Sequence, residues 1–359
     1  MTEKQMKISK IREYMRENGL DGMIVDSWQN VLYLSGFTGY GDALLFITGN
    51  DKFIITDSRY YVQAEVQCGD FTLVKGNARD FNIMLDLVKS NGVKTLGFEQ
   101  NAVGYAAFVN YYNKLGAELK SVSGLFDNMR LTKSPEEIAA IERSCDIATA
   151  ALVETYKYIK PGETETRIAA RLEYEMRVLG ADKAAFDTVV ASGIRGSMPH
   201  GTATDKIIEK GDGVTIDFGA FQSGMCSDMT RTVFAGEPSA EMRKIYYIVK
   251  EAQEAAINGF KPGMTGCDLD KIARDIIEGY GYGEYFGHGL GHGVGIDIHE
   301  GVNINRRGTL ELVEGMVFSV EPGIYVPGLG GVRIEDLVTP ENGRLRYVTK
   351  GPSTELTVL

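Results

Sequence analysis

The feature that most constrains the fold is an internal repeat. A Lys-Pro-Gly-x-Thr pattern occurs at residues 160–164 and again at residues 261–265, at an offset of 101 residues. Each copy precedes an amphipathic helical pattern, and each of those patterns is followed by strands that carry acidic residues. Two equivalent halves of this kind predict an α/β (α+β) fold in which the helices and hairpins are related by a pseudo-twofold axis.

The first half contains a predicted hairpin with two aspartates. Residues 213–234 read as two strands with apolar alternation, separated by a turn near Gln222 and Ser223. With the turn at that place, Asp217 and Asp228 lie roughly opposite each other. Like charges on facing strands destabilise a sheet, so this hairpin requires a cation between the aspartates or a carboxyl group with a raised pKa.

The second half repeats the arrangement about 104 residues later. Glu321 stands two residues before a glycine, as Asp217 does, and residues 327–331 form a turn. The returning strand has Arg333 and Glu335 on one face because side chains in a strand alternate with a period of two. A pseudo-twofold axis would bring both hairpins together, so all four acids are expected in one pocket.

Histidine is concentrated at one place in this sequence. The chain has four histidines, and three of them, His288, His292 and His299, lie in a glycine-rich segment. A glycine inside a helix costs about 1 kcal/mol relative to alanine, so these residues do not form a helical zinc motif. The segment predicts a strand or loop that delivers His292 to the four acids.

Charge balance indicates what the pocket holds. Four ionised carboxylates are costly to leave unpaired in a cleft, and two divalent cations would neutralise them. Four oxygen donors and one imidazole favour manganese, with cobalt or zinc as alternatives. The four cysteines form no C-x-x-C pair, so the sequence predicts no structural zinc knuckle.

Five separated motifs resemble those of the pita-bread metallopeptidases, in particular the Xaa-Pro peptidase branch of aminopeptidase P and prolidase. They are Asp217-Phe218-Gly219, residues 227–232, residues 287–300, Val320-Glu321-Pro322-Gly323 and residues 332–336. Residues 33–37 and 55–60 resemble, more loosely, the creatinase/prolidase-type N-terminal domain. The resemblance therefore implies an N-terminal domain at residues 1–128 and a pita-bread dimetal peptidase domain at residues 129–359.

The resemblance also implies roles for individual residues. The metal ligands are expected to be Asp217, Asp228, His292, Glu321 and Glu335, with Asp228 and Glu335 bridging two ions. Catalytic roles are expected for His200, His288, His299 and Glu321. Arg333 is expected to orient Tyr325 or a substrate carboxylate from just outside the metal shell.

The implied activity is hydrolysis of the N-terminal Xaa-Pro bond of short proline-containing peptides by an Xaa-Pro aminopeptidase. An Xaa-Pro dipeptidase (prolidase) is the main alternative. A methionine aminopeptidase shares the five ligands, but the added N-terminal domain argues against it. A peptide-binding module without catalysis is the remaining alternative, and the complete ligand set disfavours it.

The remaining expectations come from the whole chain. A formal charge of −11 argues against a nucleic-acid partner. The chain contains no run of eighteen apolar residues, so we predict no membrane span. The start of the chain has no signal-peptide pattern, and four cysteines without evident partners suit a reducing compartment. We therefore expect a cytoplasmic protein, and by the family resemblance a homodimer.

The first third of the chain alternates helical and strand patterns. Helices are predicted at residues 2–18 and 81–90 and through Tyr111, and strands at residues 22–26, 43–48, 52–57 and 95–99. Ser134-Pro135-Glu136-Glu137 is a capping box that begins a long helix after the domain boundary. Asp57, Arg59 and Tyr60 are interpreted as a structural corner, with projection toward an active site as the alternative.

Overall fold

The computed structural model describes residues 2–359. The chain divides into two compact units, the first ending at Met129 and the second beginning at Arg130. Among the described residues, no helix combines the length and the apolar character that a membrane crossing requires.

The first unit is built on a six-stranded mixed sheet in the order β4-β3-β2-β1-β5-β6. Its strands are β1 (Gly22–Val25), β2 (Ala43–Thr48), β3 (Lys52–Thr56), β4 (Thr72–Lys75), β5 (Thr95–Glu99) and β6 (Glu118–Val122). Its helices are α1 (Glu3–Glu17), α2 (Trp28–Ser35), α3 (Tyr61–Gln67), α4 (Phe81–Ser90), α5 (Tyr105–Lys114) and α6 (Leu125–Leu131), the last two residues of α6 belonging to the second unit. The sequence patterns predicted seven of these twelve elements to within a few residues, namely α1, α4, α5, β1, β2, β3 and β5.

Strand β2 shows why helices cover both faces of this sheet. All six of its residues are buried, and alternate side chains point to opposite faces. Leu45 and Ile47 pack in one hydrophobic cluster, while Leu44 and Phe46 pack in another. A strand that is apolar at consecutive positions therefore forms the centre of a layered α/β unit.

A polar corner follows β3 in the same unit. Arg59 pairs with Asp57 at 2.7 Å and with Asp42 at 2.8 Å. The hydroxyl of Tyr60 donates to Asp42 at 2.8 Å. These bonds join the end of β3 to the residue that precedes β2, which supports the interpretation of Asp57, Arg59 and Tyr60 as a structural corner.

The second unit contains two helix pairs and two principal sheets. Its helices are α7 (Pro135–Tyr156), α8 (Glu165–Val178), α9 (Ala240–Gly259) and α10 (Gly266–Gly279). The strands of its first half are β7 (Lys183–Ala184), β8 (Val189–Ser192), β9 (Gly213–Phe218), β10 (Ala220–Gln222), β11 (Met225–Cys226) and β12 (Met229–Phe234). The strands of its second half are β13 (Gly291–Gly293), β14 (Glu300–Ile304), β15 (Phe318–Val320), β16 (Gly323–Val326), β17 (Gly330–Arg333), β18 (Asp336–Glu341) and β19 (Arg344–Tyr347).

Each half has its own helix pair and core. Helices α7 and α8 accompany the sheet β12-β9-β8, and helices α9 and α10 accompany the sheet β14-β13-β15-β18-β19. Ser134 caps α7 by the predicted capping box, with Pro135 in the first turn. Thr164 and Thr265, which end the repeated pattern, are the N-caps of α8 and α10. The internal repeat therefore marks the same local structure in both halves.

The register of the first hairpin corrects the sequence-based prediction. Phe221 faces Cys226 and Asp217 faces Thr230, so Asp228 lies diagonally from Asp217, two residues away along the partner strand. The reason is the turn, which is centred on Ser223 and Gly224, both with positive φ (51° and 86°), as a type I′ turn requires. A shift of two residues keeps both aspartates on the same face of the hairpin.

The glycine-rich segment forms β13 and its flanking loops, not a helix. A Cβ atom on Gly291 would lie 1.9 Å from the carbonyl oxygen of Ser319, a distance that excludes any side chain. The strand is thereby packed backbone against backbone on β15, where His292 is fixed between two glycines. A similar approach occurs at Gly219, whose Cβ atom would lie 2.0 Å from the carbonyl oxygen of Ser227.

Candidate metal centre

The five residues expected to bind metal line a single cavity of about 500 Å³ in the second unit. Asp217 lies in β9, Asp228 directly precedes β12, and His292 is the central residue of β13. Glu321 follows β15 and Glu335 precedes β18. Val320 faces Asp336 and Gly323 faces Arg333, so the register places Glu321 opposite Glu335. The hairpins of the two halves thus contribute acids to the same cavity.

Three of these residues form the tightest group. Ligand atoms of Asp228, His292 and Glu335 all lie within 4.8 Å of one another. Nε2 of His292 is 3.6 Å from Asp228 Oδ2 and 3.4 Å from Glu321 Oε1. The other ring nitrogen, Nδ1, donates to the carbonyl of Gly293 at 3.2 Å. In the neutral ring this bond leaves the lone pair of Nε2 directed at the carboxylates, as a metal ligand requires.

The protonation of this cluster indicates that a cation belongs in it. Burial, followed by repulsion from the neighbouring acids, raises the pKa of Asp228 and of Glu335 well above their usual values. Burial also raises the pKa of Glu321 to about 8. The imidazole of His292 responds in the opposite sense, because burial lowers its pKa to about 4. The cluster is therefore an assembly of buried acids around a neutral histidine.

Two oxygen atoms of the cluster have no partner. Among the described residues, Oδ1 of Asp217 and Oε1 of Glu335 are buried and accept no hydrogen bond. A buried polar atom without a partner costs roughly 1–3 kcal/mol, and two in one acidic cavity indicate a missing donor or cation. Oxygen donors with one imidazole suit a hard or borderline divalent ion. The residues present thus fit a metal centre.

Arg333 and Tyr325 connect the acids to a second histidine. Nη2 of Arg333 donates to Asp217 at 2.6 Å, and Nη1 donates to the hydroxyl of Tyr325 at 2.8 Å. The Tyr325 hydroxyl lies 2.9 Å from Nε2 of His288, whose Nδ1 donates to the carbonyl of Gly289 at 2.7 Å. Burial lowers the pKa of His288 to about 4, so the Tyr325 hydroxyl donates to a neutral ring. Both nitrogens of His288 are occupied.

The other two histidines present less restrained rings to the same cavity. His299 is exposed, and its ring centroid is 4.1 Å from that of His292. Burial is the largest cause that lowers the pKa of His299. His200 lies on the segment between β8 and β9 and is also exposed. The structure thus brings His200, His288, His299 and the five expected ligands to one cavity.

Two hydroxyl groups in the site were missed by sequence reasoning. The Thr230 hydroxyl donates to Glu335 at 2.7 Å and accepts from Nε of Arg333 at 3.1 Å. The Ser319 hydroxyl donates to Glu321 at 3.2 Å and accepts from the backbone N–H of His292 at 3.0 Å. Both are buried and stand two residues from an expected ligand. The period of two could have indicated them, because residues i and i+2 share a face of a strand.

Comparison with known proteins identifies the family. The model of metallopeptidase family M24 matches residues 139–340, and the model of the creatinase/prolidase N-terminal domain matches residues 7–132. The chain belongs to metallopeptidase family M24. The resemblance predicted from the five motifs is thereby confirmed, and the protein is a hydrolase with a creatinase-type N-terminal domain and a pita-bread domain.

Relatives of this M24 peptidase match it over nearly its full length. It is 41% identical to the Xaa-Pro dipeptidase of Pyrococcus furiosus over 95% of this chain and 97% of that protein. The structure of an Xaa-Pro dipeptidase from Bacillus anthracis matches with a TM-score of 0.94 and 41% identity, covering 99% and 100% of the two chains. That of an X-Pro aminopeptidase from Thermotoga maritima matches with a TM-score of 0.89 and 40% identity, covering 95% and 98%.

Proposed function

We propose that this M24 peptidase is an Xaa-Pro dipeptidase (prolidase) that uses two divalent metal ions. The observation that carries the proposal is the cavity in which four acids and His292 converge with two unpartnered carboxylate oxygens. Relatives named as dipeptidases support this reading better than the aminopeptidase reading that the sequence motifs placed first. The same relatives give no support to a methionine aminopeptidase.

The metal ligands we propose are Asp217, Asp228, His292, Glu321 and Glu335, with manganese as the first candidate. When bound, two divalent ions supply Lewis acidity that activates water and polarises the scissile carbonyl. The chain itself supplies the remaining groups. Glu321 lies in the cavity with Oε1 3.4 Å from Nε2 of His292, and its carboxylate would accept a proton from the attacking water.

We propose different roles for the three remaining histidines. His299 stands beside His292 and would donate to the oxygen of the scissile carbonyl as negative charge develops there. His200 would serve the scissile nitrogen, because the tertiary amide of proline must be protonated to leave. His288 has both nitrogens in hydrogen bonds. We therefore assign it to positioning, through Tyr325 and Arg333, and not to proton transfer.

A second cleft gives a physical basis for the dipeptidase assignment. It has a volume of about 770 Å³ and shares His288, Gly289 and Asn305 with the metal cavity. Of the arginines that line this cleft, Arg274 pairs with Asp270 and Arg306 with Glu278. The side chain of Arg307 forms no ion pair with a described residue.

We propose that Arg307 binds the free carboxylate of the proline residue in an Xaa-Pro dipeptide. A guanidinium group suits a carboxylate because it can donate two parallel hydrogen bonds. A longer peptide continues beyond proline and offers no carboxylate at that place. The cleft would therefore favour dipeptides over longer substrates.

The test compares Ala-Pro with Ala-Pro-Ala and with Ala-Ala, each with Mn²⁺. A dipeptidase should hydrolyse the first with a kcat/KM at least about tenfold above the others, the equivalent of about 1.4 kcal/mol. Arg307→Ala should lower kcat/KM for Ala-Pro and leave residual cleavage of Ala-Pro-Ala unchanged. The control is Arg344→Ala, because Arg344 lies outside both cavities, and it should retain the wild-type kcat/KM. Preferential cleavage of Ala-Pro-Ala would favour the aminopeptidase, and equal cleavage of Ala-Pro and Ala-Ala would contradict proline specificity. The expected cytoplasmic location and homodimer stay predictions.

A further inference from the structure

The position of His200 depends on its backbone. The histidine lies on the segment of residues 192–204, which leads from the end of β8 toward β9. Its imidazole is exposed and forms no hydrogen bond or ion pair with any residue of the described range 2–359. The ring of His288, in contrast, is held at both nitrogens. A ring that nothing else restrains is placed by the segment that carries it.

The carboxylate of Glu165 holds both ends of this segment. Glu165 is the first residue of α8 and is 0% exposed. Its Oε1 accepts from the backbone N–H and the hydroxyl of Ser192, at 2.7 and 2.9 Å. Its Oε2 accepts from the backbone N–H and the hydroxyl of Thr204, at 3.1 and 2.9 Å. One side chain therefore closes the segment as a loop.

Arg195 neutralises this buried charge from inside the loop. Its guanidinium donates to Glu165 through Nη1 and to the carbonyl of Thr202 through Nη2, the latter at 2.8 Å. Hydrogen bonds to a charged group are shorter and stronger than neutral ones. The N-terminus of α8 further favours a negative charge at this position. The carboxylate is thus fully satisfied, and the loop is bonded to it at three residues.

The inner side of the same loop is held at the metal cavity. The carbonyl of Pro199, the residue before His200, accepts from Nη1 of Arg333 at 3.2 Å. Glu165 itself is not among the described residues that line the cavity. The loop is therefore held on one side by Arg333, which contacts the proposed ligand Asp217. On the other side it is held by Glu165, which lies outside the cavity.

We propose that Glu165 is a positioning residue for catalysis, which acts by fixing the loop that carries His200. The inference rests on the proposed role of His200 in hydrolysis. A displacement of a reacting group by about 1 Å can cost on the order of 100-fold in rate. Loss of the Glu165 carboxylate therefore lowers turnover without removing any group from the cavity.

The first experiment measures kcat and KM for Ala-Pro with Mn²⁺ in the full-length chain. Glu165→Gln keeps the size of the side chain, but its amide N–H₂ would face two donors, such as the backbone N–H and the hydroxyl of Ser192. We expect kcat to fall roughly 10- to 100-fold, with little change in KM or metal content. Glu175→Gln is the matched control, because Glu175 lies on the same helix, is buried, and pairs with Arg171 away from the loop. It should retain the wild-type kcat.

A milder pair of variants covers the case in which Glu165→Gln fails to fold. Thr204→Val removes one donor to Glu165, and Thr204→Ser keeps it. We expect a several-fold loss of kcat in the first variant and recovery in the second. Equal kcat values in these two variants, or an unchanged kcat in folded Glu165→Gln, would overturn the inference.

A double-mutant cycle separates positioning from general stability. His200→Ala should lower kcat by about 10²-fold or more, as for removal of a proton-transfer group. Adding Glu165→Gln to His200→Ala should then change kcat by less than about twofold, because coupled residues are not additive. If the two losses multiply, Glu165 does not act through His200. If His200→Ala retains wild-type kcat, both the role of His200 and this inference fail, whereas cleavage of Ala-Pro by the native enzyme would still support the proposed function.

Discussion

Nη2 of Arg333 lies 2.6 Å from Oδ2 of Asp217, and the second oxygen of that carboxylate is the one left without a partner. The guanidinium therefore fixes the orientation of the aspartate and leaves Oδ1 available to a cation. The same guanidinium bonds Tyr325 and Thr230. Arg333 thus holds one proposed ligand directly and contacts a second one, Glu335, through the hydroxyl of Thr230.

Replacement of Arg333 by lysine should show that this geometry matters more than the charge. Lysine retains the positive charge but cannot bond Asp217, Tyr325 and Thr230 together. We expect kcat to fall by roughly 100-fold, since small displacements of reacting groups have effects of this size. Arg346→Lys, at a partly exposed ion pair, should be nearly neutral. Near-wild-type activity of Arg333→Lys would show that charge alone suffices.

Asp228→Asn should remove metal and activity while it stabilises the metal-free protein. Burial, followed by repulsion from the neighbouring acids, raises the pKa of Asp228, so the neutral amide removes the cost of desolvation and the repulsion. Elemental analysis, kinetics and thermal unfolding in chelator would measure the three effects. The control is Asp275→Asn on the exposed surface of α10. A metal content equal to that of the wild type would exclude Asp228 as a ligand.

The metal-free protein should lose stability as pH rises. The pKa of Glu321 is raised from 4.5 to about 8, so the folded state keeps a proton that the unfolded state releases between these values. Stability from this group is complete below pH 4.5 and is lost as pH rises through 8. The raised pKa values of Asp228 and Glu335 act in the same direction. Melting temperatures measured from pH 5 to 9 in chelator should fall, and saturating Mn²⁺ should reduce the fall; a rising profile in chelator would contradict the charge assignment.

His292→Ala and His299→Ala should have different effects on metal. Nε2 of His292 is directed at Asp228 and Glu321, so its removal should lower metal affinity and activity together. His299 lies beside that ring without such contacts to the acids, so its removal should lower kcat by roughly 10²-fold and leave metal content unchanged. Isothermal titration with Mn²⁺ and steady-state kinetics would measure both. Equal loss of metal in the two variants would show that the assignment of the ligand is wrong.

The sequence predicted the architecture well because the relevant signals are local. The repeated Lys-Pro-Gly-x-Thr pattern contains the N-caps Thr164 and Thr265, and the capping box at Ser134 begins α7 where predicted. The turn of the first hairpin was placed one residue too early, since positive φ at Ser223 and Gly224 is decided by backbone pairing. The prediction that Asp217 and Asp228 share one face of the hairpin was nevertheless correct, because a shift of two residues keeps each side chain on its face.

The support around the site could not be predicted in the same way. Glu165 lies 35 residues before His200 in the chain, and nothing in its local pattern distinguishes it from an ordinary acid in the first turn of a helix. Its role depends on donors from Ser192 and Thr204 that only the folded loop brings together. The engagement of both nitrogens of His288 is likewise a tertiary property, because it depends on Tyr325.

The division of the acids between two hairpins has a consequence for how the protein is made. The hairpin with Asp217 and Asp228 is synthesised well before Glu321 and Glu335. The hydroxyl of Thr230 can therefore bond Glu335 only after the second half has been made. During synthesis the first half therefore carries only two of the four negative charges, which water can still solvate. When the second half folds against the first, Glu321 and Glu335 complete the proposed cation site. Burial, followed by the repulsion that these two acids add, then raises the pKa of Asp228. We therefore expect metal binding and the docking of the two halves to depend on each other, because each half contributes two of the four acids that line the cavity.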